Sequence, residues 1–133
     1  MISITQKKDR LIQEMAKISD VDERYRFIIA KGKSLPEISS NDRLDKFLIA
    51  GCLSKAWLIP KFDGKTLEFS ADSEAAIVKG IMALLLDVYS QNSPAEILSL
   101  SPDFLKEAGI TEHLSMNRRN GLSGVIKQVM LYA

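Results

Sequence analysis

The 133-residue sequence contains only one cysteine, one histidine and one tryptophan, so its side chains can build few kinds of chemistry. A single cysteine excludes a disulfide within the chain. One cysteine and one histidine cannot supply the four nitrogen or sulfur ligands that a structural zinc site usually needs. We therefore expect no disulfide framework and no zinc site, and we expect the thiol to be kept in a reducing compartment.

The sequence also lacks an excess of one charge and a long apolar run. Its 18 Lys and Arg side chains are balanced by 17 Asp and Glu, whereas a nucleic-acid binder normally gathers basic side chains on one face. The longest apolar run, residues 81–86, is far shorter than the roughly 20 residues that cross a bilayer. The first residues contain no apolar segment of the kind found in export signals. We predict a cytoplasmic protein that binds neither nucleic acid nor a membrane.

Helical patterns lie at both ends of the chain. Ser3 and Asp20 are each followed three residues later by Gln or Glu, a capping-box pattern that predicts two N-terminal helices. Gly32 is expected to end the second of these helices. A long apolar stripe predicts the longest helix at about residues 74–91, and a last helix is expected to begin near Asn117.

Between the helices the pattern changes to short strands. Asp63 and Gly64 form a strong hairpin-turn signal, and the residues after them alternate between apolar and polar. A small antiparallel sheet of about three strands is therefore predicted, at residues 47–49, 55–61 and 67–71. Helices packed around one such sheet make a single α+β domain over residues 1–133.

Cys52 lies in a predicted turn between two strands and directly follows Gly51. A lone cysteine is usually a small buried apolar residue. A position in an exposed turn, with Ser54 and Lys55 close behind, instead favours a reactive thiolate. From the residues alone, both interpretations of the cysteine stay open.

Two further features near the C-terminus could carry chemistry. Arg118 and Arg119 lie at the predicted start of the last helix, where the helix dipole disfavours a cation by roughly 0.3–1 kcal/mol. They indicate either an anionic partner or an ion pair with a carboxylate such as Glu112. His113 lies 61 positions after Cys52, so a Cys–His dyad is conceivable if the fold joins them, although a solvated loop histidine is the simpler interpretation.

Three stretches of the chain stand out as motifs: a Gly-Cys-x-Ser-x-x-Trp element at residues 51–57, an Asp-Ser-Glu segment at 72–80 and a third stretch at 113–122. Together they resemble the signature motifs of the SufE family of sulfur-acceptor proteins, which also includes CsdE. The resemblance spans nearly the whole chain in the family's order. Two positions differ from the family pattern: Leu53 replaces the usual glutamine and Met116 the usual proline. Because of these two differences, the resemblance does not indicate which desulfurase is the partner.

The resemblance implies the fold shared with IscU-type scaffold proteins and a sulfur-carrier function with no cofactor of its own. A pyridoxal-phosphate cysteine desulfurase, SufS-like or CsdA-like, would be stimulated by this protein and would pass persulfide sulfur to Cys52. A SufBCD-like iron–sulfur scaffold would then receive the sulfur. The residues implied to support the cysteine loop or to dock the partner are Gly51, Ser54, Asp72, Ser73, Glu74, His113 and Arg118.

Two other functions stay open. A stand-alone thiol enzyme, such as a hydrolase or peroxidase, would need His113 within hydrogen-bond reach of Cys52. A regulatory adaptor would bind its partner with an incidental cysteine. Direct binding of an iron–sulfur cluster is disfavoured because one cysteine cannot supply the usual four thiolates.

Overall fold

The computed structural model describes residues 3–42, 44–49, 55–110 and 116–133. A β-hairpin stands between helical segments, which is the predicted α+β class. Two short 3-10 helices, Ser40–Asp42 and Asp45–Phe47, precede the hairpin. The helices and strands in chain order are α1 (Ile4–Ala16), α2 (Val21–Lys33), β1 (Ala56–Phe62), β2 (Leu67–Ser73), α3 (Ala76–Tyr89), α4 (Pro94–Ser99), α5 (Phe104–Glu107) and α6 (Met116–Tyr132).

The first two helices begin where the capping patterns predict. The Ser3 hydroxyl accepts the Gln6 N–H at 3.1 Å, and the Gln6 side chain accepts the Ser3 N–H at 2.8 Å. In α2 the Asp20 carboxylate accepts the N–H of Glu23 at 3.0 Å. These bonds satisfy backbone donors that have no partner inside the helix.

The hairpin turn is also confirmed. Strands β1 and β2 are antiparallel, with Phe62 opposite Leu67 beside the turn. The Asp63 carboxylate accepts the N–H groups of Lys65 at 2.9 Å and Thr66 at 2.8 Å. Gly64 has a φ of +98°, a conformation that side chains with a Cβ rarely adopt.

The prediction of a third strand at residues 47–49 was wrong. The sheet has two strands in the described part of the chain, and the preceding 3-10 helix ends at Phe47. Leu48 forms only an isolated bridge with Trp57, and the Ile49 N–H donates to the Ala56 carbonyl at 2.9 Å. A three-residue apolar run is too short for its periodicity to separate a strand from a single bridge.

Two boundary predictions also need correction. Asp72 and Ser73 are the last residues of β2, and α3 begins later, after Ala75, which makes no side-chain capping bond. Gly32 does not end α2 but lies inside it, buried against α3. A Cβ on Gly32 would come within 2.7 Å of the Gly80 nitrogen, so this glycine permits a close helix crossing.

Helix α3 forms the centre of the core. It contacts α1, α2, α6 and β2, and the apolar side chains predicted to face the core are buried. Burying one such side chain contributes roughly 1.5–3 kcal/mol, so this stripe fixes α3 firmly. Within the described ranges no helix is both long and apolar enough to cross a membrane. The buried α3 stripe consists of Ile77, Ile81, Leu84, Leu85 and Val88.

Candidate functional site

The predicted sulfur acceptor lies outside the described residues, but the chain on both sides of it is described. The segment that joins Ile49 to Lys55 is named here the cysteine segment and comprises residues 50–54. The Ile49 N–H donates to the Ala56 carbonyl, so the stretches of chain before and after this segment are neighbours. The predicted site residues that lie outside the described ranges are Gly51, Cys52, Ser54 and His113.

The C-terminal end of the cysteine segment is tied to the connection between β2 and α3. The Lys55 N–H donates to the Glu74 carboxylate at 3.1 Å, and the Glu74 N–H donates to the Lys55 carbonyl at 2.9 Å. The Ser73 hydroxyl donates to the same carbonyl at 3.2 Å. Both backbone groups of Lys55 are therefore satisfied by two adjacent residues of the second predicted motif.

Ser73 has a second role at the start of α3. Its hydroxyl oxygen accepts the Ala75 N–H at 3.1 Å, while its own N–H donates to the Asp72 carboxylate at 2.8 Å. The hydroxyl therefore bridges Lys55 and the residue before the helix. This arrangement explains why serine is useful at this position without capping a helix.

Asp72 joins this site to the first turn of α3. Its carboxylate lies 3.2 Å from the Lys79 ammonium, and the two side chains are 13% and 27% exposed. Trp57 stands directly opposite Asp72 in the hairpin and is 8% exposed. Cross-strand partners share a face of the sheet, so the tryptophan and the carboxylate lie on the same face.

Three of the predicted site residues, Asp72, Ser73 and Glu74, are consecutive in the sequence, and the structure joins this segment to Lys55 and Lys79. Arg118 lies in the first turn of α6, whose start at Met116 agrees with the prediction, but its side chain is not among those described. Among the described residues there is no group of three or more His, Cys, Asp or Glu side chains that could hold a metal ion.

Sequence reasoning missed Lys79 and the backbone of Lys55. The ion pair of Lys79 with Asp72 joins the end of β2 to α3, and the periodicity within one helix or one strand does not predict a contact between two elements. The contacts of Lys55 use its backbone carbonyl, which every residue has, and its backbone N–H, which only proline lacks. No residue type could have signalled them.

A groove of about 650 Å³ lies elsewhere, between α1, α2, β2 and the end of α3. Three basic and three acidic side chains line it, so it has no excess of one charge. Burial lowers the pKa of Lys7, whose ammonium donates to the Ser90 carbonyl at 2.9 Å. Asp72, Ser73 and Glu74 are not part of its lining, so this groove is separate from the site described above.

Comparisons with known proteins agree with this architecture. Residues 9–133 match the model of the SufE family, described as an Fe-S metabolism associated domain. An uncharacterized SufE-like protein of Rhizobium etli is 33% identical over 126 residues, which cover 91% of this chain and 85% of the relative. A second, from Rhizobium meliloti, is also 33% identical over 126 residues, with coverage of 91% and 90%.

A solved structure supports the fold. The solution structure of a hypothetical protein from Thermus thermophilus matches with a TM-score of 0.79 and covers 98% of this chain and 94% of that one. The two sequences are 16% identical, so this likeness concerns the fold alone.

Proposed function

Because the chain belongs to the SufE family of Fe-S metabolism associated domains, we propose that Cys52 accepts sulfur from a cysteine desulfurase. The donor is a pyridoxal-phosphate enzyme of the SufS or CsdA kind, which this protein binds and stimulates. The sulfur then passes to an iron–sulfur scaffold of the SufBCD kind. The reaction belongs in the cytoplasm, where thiols stay reduced.

The observation that supports this proposal is the anchoring of the cysteine segment at both ends. Its N-terminal side is hydrogen-bonded through Ile49 to Ala56, and its C-terminal side through Lys55 to Glu74. Fixed ends reduce the conformational entropy that a segment has to lose when a partner binds it. The described residues on either side of the cysteine segment are therefore both hydrogen-bonded to neighbouring parts of the fold.

The transfer itself is a thiol exchange. The Cys52 thiolate attacks the outer sulfur of the desulfurase persulfide, and a new S–S bond forms between these two atoms. The S–S bond within the desulfurase breaks, and its cysteine leaves as a thiolate. Cys52 then carries the persulfide, so one S–S bond replaces another and no external oxidant or reductant is needed. The chain needs no cofactor for this step, since pyridoxal phosphate belongs to the partner.

Mass spectrometry of the intact protein tests the proposal. The protein is incubated with a cysteine desulfurase and cysteine without reductant, and peptide mapping locates any added sulfur. We expect added sulfur on Cys52 in the wild type and none in Cys52→Ser. Wild-type protein that gains no sulfur from several desulfurases would contradict the carrier function. A Cys52→Ser protein that still stimulates the desulfurase fully would identify an adaptor instead.

A further inference from the structure

We propose that Pro60 prevents the outer edge of β1 from pairing with a second copy of this chain. In the described part of the chain the sheet is a hairpin of two strands, so it has two outer edges. Each edge of such a sheet carries backbone N–H and C=O groups that can bind a further strand. Self-association at this edge is a property of the hairpin and does not depend on the proposed function.

The outer edge of β2 is covered by the chain that follows α3. The Leu67 N–H donates to the Asn92 carbonyl at 2.9 Å, and the Leu67 carbonyl accepts the Gln91 N–H at 2.7 Å. Further along the strand, the Phe69 N–H donates to the Ser90 hydroxyl at 3.0 Å. A strand from another molecule would therefore find these groups of β2 already occupied.

The outer edge of β1 is covered over a shorter length. The Ile49 N–H donates to the Ala56 carbonyl at 2.9 Å, and Leu48 forms an isolated bridge with Trp57. Within the described ranges, no bridge on this side reaches the remaining residues of the strand, 58–62. This part of the edge is where a second copy could add a strand.

The hydrogen-bond pattern of the hairpin shows which way the backbone of Pro60 points. At one end the Glu74 N–H donates to the Lys55 carbonyl at 2.9 Å, and at the other end the Asp63 N–H donates to Thr66 at 3.2 Å. Hydrogen-bonded and non-hydrogen-bonded pairs alternate along an antiparallel ladder. The odd-numbered residues of β1 therefore direct their backbone groups to β2, and the even-numbered residues direct theirs outward. Pro60 belongs to the second group.

Proline has no N–H, so a strand added here would meet a carbonyl acceptor without its donor. In a pair of copies related by a two-fold axis at this position, each Pro60 would face the other, and both hydrogen bonds of that pair would be missing. Other features of the edge oppose pairing less. Phe62 is 57% exposed, and the charge of Lys61 has Glu68 directly opposite on the same face.

Restoring the missing donor supplies the experiment. Pro60→Thr introduces an N–H and a residue type that favours strands. Pro36→Thr is the matched control, since it replaces an exposed proline in the loop after α2. A double variant, Pro60→Thr with Phe62→Ala, keeps the new N–H but removes the exposed ring, so it separates backbone pairing from association through the side chain.

Sedimentation velocity over a wide range of protein concentration measures self-association. Amide hydrogen exchange at position 60, followed by NMR, shows whether the new N–H is bonded in the associated species. A reductant is present throughout, so no disulfide through Cys52 contributes. Thermal unfolding checks that each variant is folded, which is expected because no hydrogen bond between β1 and β2 uses the backbone of position 60.

We expect Pro60→Thr to associate at least about ten-fold more tightly than the wild type, since a two-fold pair gains two hydrogen bonds. The new amide at position 60 should become protected from exchange as the concentration rises. Pro36→Thr should behave like the wild type. The double variant should associate within about three-fold of Pro60→Thr, because the pairing uses the backbone.

Three results would overturn the proposal. Equal association of Pro60→Thr and the wild type would mean that the missing N–H is not what keeps this edge unpaired. An associated variant whose amide at position 60 stays unprotected would place the contact elsewhere. An increase that disappears in the double variant would identify the Phe62 ring as the contact. None of these measurements uses sulfur transfer, so a failure of the proposed function would leave their interpretation unchanged.

Discussion

Gly80 of α3 packs directly against the backbone of Ile28 in α2. A Cβ built on Gly80 would lie 2.1 Å from the Ile28 carbonyl oxygen, far closer than two such atoms can approach. The two helices therefore cross at a distance that no side chain at this position allows. Since α3 closely follows Ser73 and Glu74, this crossing also helps to place the residues that hold Lys55.

Gly80→Ala should strongly destabilise the protein. In an isolated helix alanine is favoured over glycine by about 1 kcal/mol, so propensity alone predicts the opposite. The clash with Ile28 should outweigh this and lower the free energy of unfolding by about 3 kcal/mol or more. Urea denaturation measures the change.

Gly64→Ala is the matched control, because a Cβ there meets no atom within 4 Å but the backbone has a φ of +98°. We expect it to cost only about 1–2 kcal/mol, the strain of the left-handed conformation. A loss in Gly80→Ala no larger than in this control would show that the helices can separate at little cost.

Tyr89 should make the protein sensitive to alkaline pH. Its buried hydroxyl donates to the Leu100 carbonyl at 2.8 Å, and burial, with a smaller effect of Asp103, raises its pKa from 10.0 to about 12. Between these values the unfolded chain has lost the proton while the folded chain keeps it. Stability from this group is therefore complete below pH 10 and is lost as the pH rises through about 12, by roughly 2–3 kcal/mol in total.

Denaturant titrations at increasing pH measure this loss. Tyr89→Phe has no hydroxyl to ionise, so its stability should decline less between pH 10 and pH 12. At neutral pH it should be less stable than the wild type by about 0.5–1.5 kcal/mol, because the Leu100 carbonyl loses its donor. Parallel alkaline curves for both proteins would contradict the assignment.

His113→Gln separates a sulfur carrier from a Cys–His enzyme. A histidine paired with Cys52 would lower the thiol pKa, and its removal would raise that pKa by more than about one unit. We expect the pH dependence of Cys52 alkylation to be unchanged in the variant, since a carrier needs no general base in its own chain. A shift of that size would favour the dyad.

Local sequence patterns predicted the parts of the fold that local forces determine. The turn at Asp63 and Gly64 depends on one carboxylate and one glycine, and both residue types are typical of turns, so the sequence predicts it. The capping contacts join residues that are three apart in the sequence, and the apolar stripe of α3 lies within one helix. Each of these elements could be predicted because its cause lies within its own segment.

Tertiary contacts explain the failures. Ser73 is a common helix-capping residue type, but its hydroxyl is used by Lys55, which lies 18 positions earlier in the chain. Gly32 looks like a helix stop, but it is needed where α2 meets Gly80 of another helix. The sequence drew attention to Asp72, Ser73 and Glu74 as a motif, and the structure adds that Ser73 and Glu74 bind the backbone of Lys55.

The two ends of the hairpin lie far apart: one end is the turn at Gly64, and the other adjoins the hydrogen bonds around Lys55. Its turn at Gly64 and its open end at Ala56 are separated by the length of a seven-residue strand, or roughly 20 Å. A fluorophore or short peptide epitope inserted at the turn would leave the hydrogen bonds around Lys55 in place. The turn is therefore the natural attachment point for a label that follows partner docking while the cysteine stays available for chemistry.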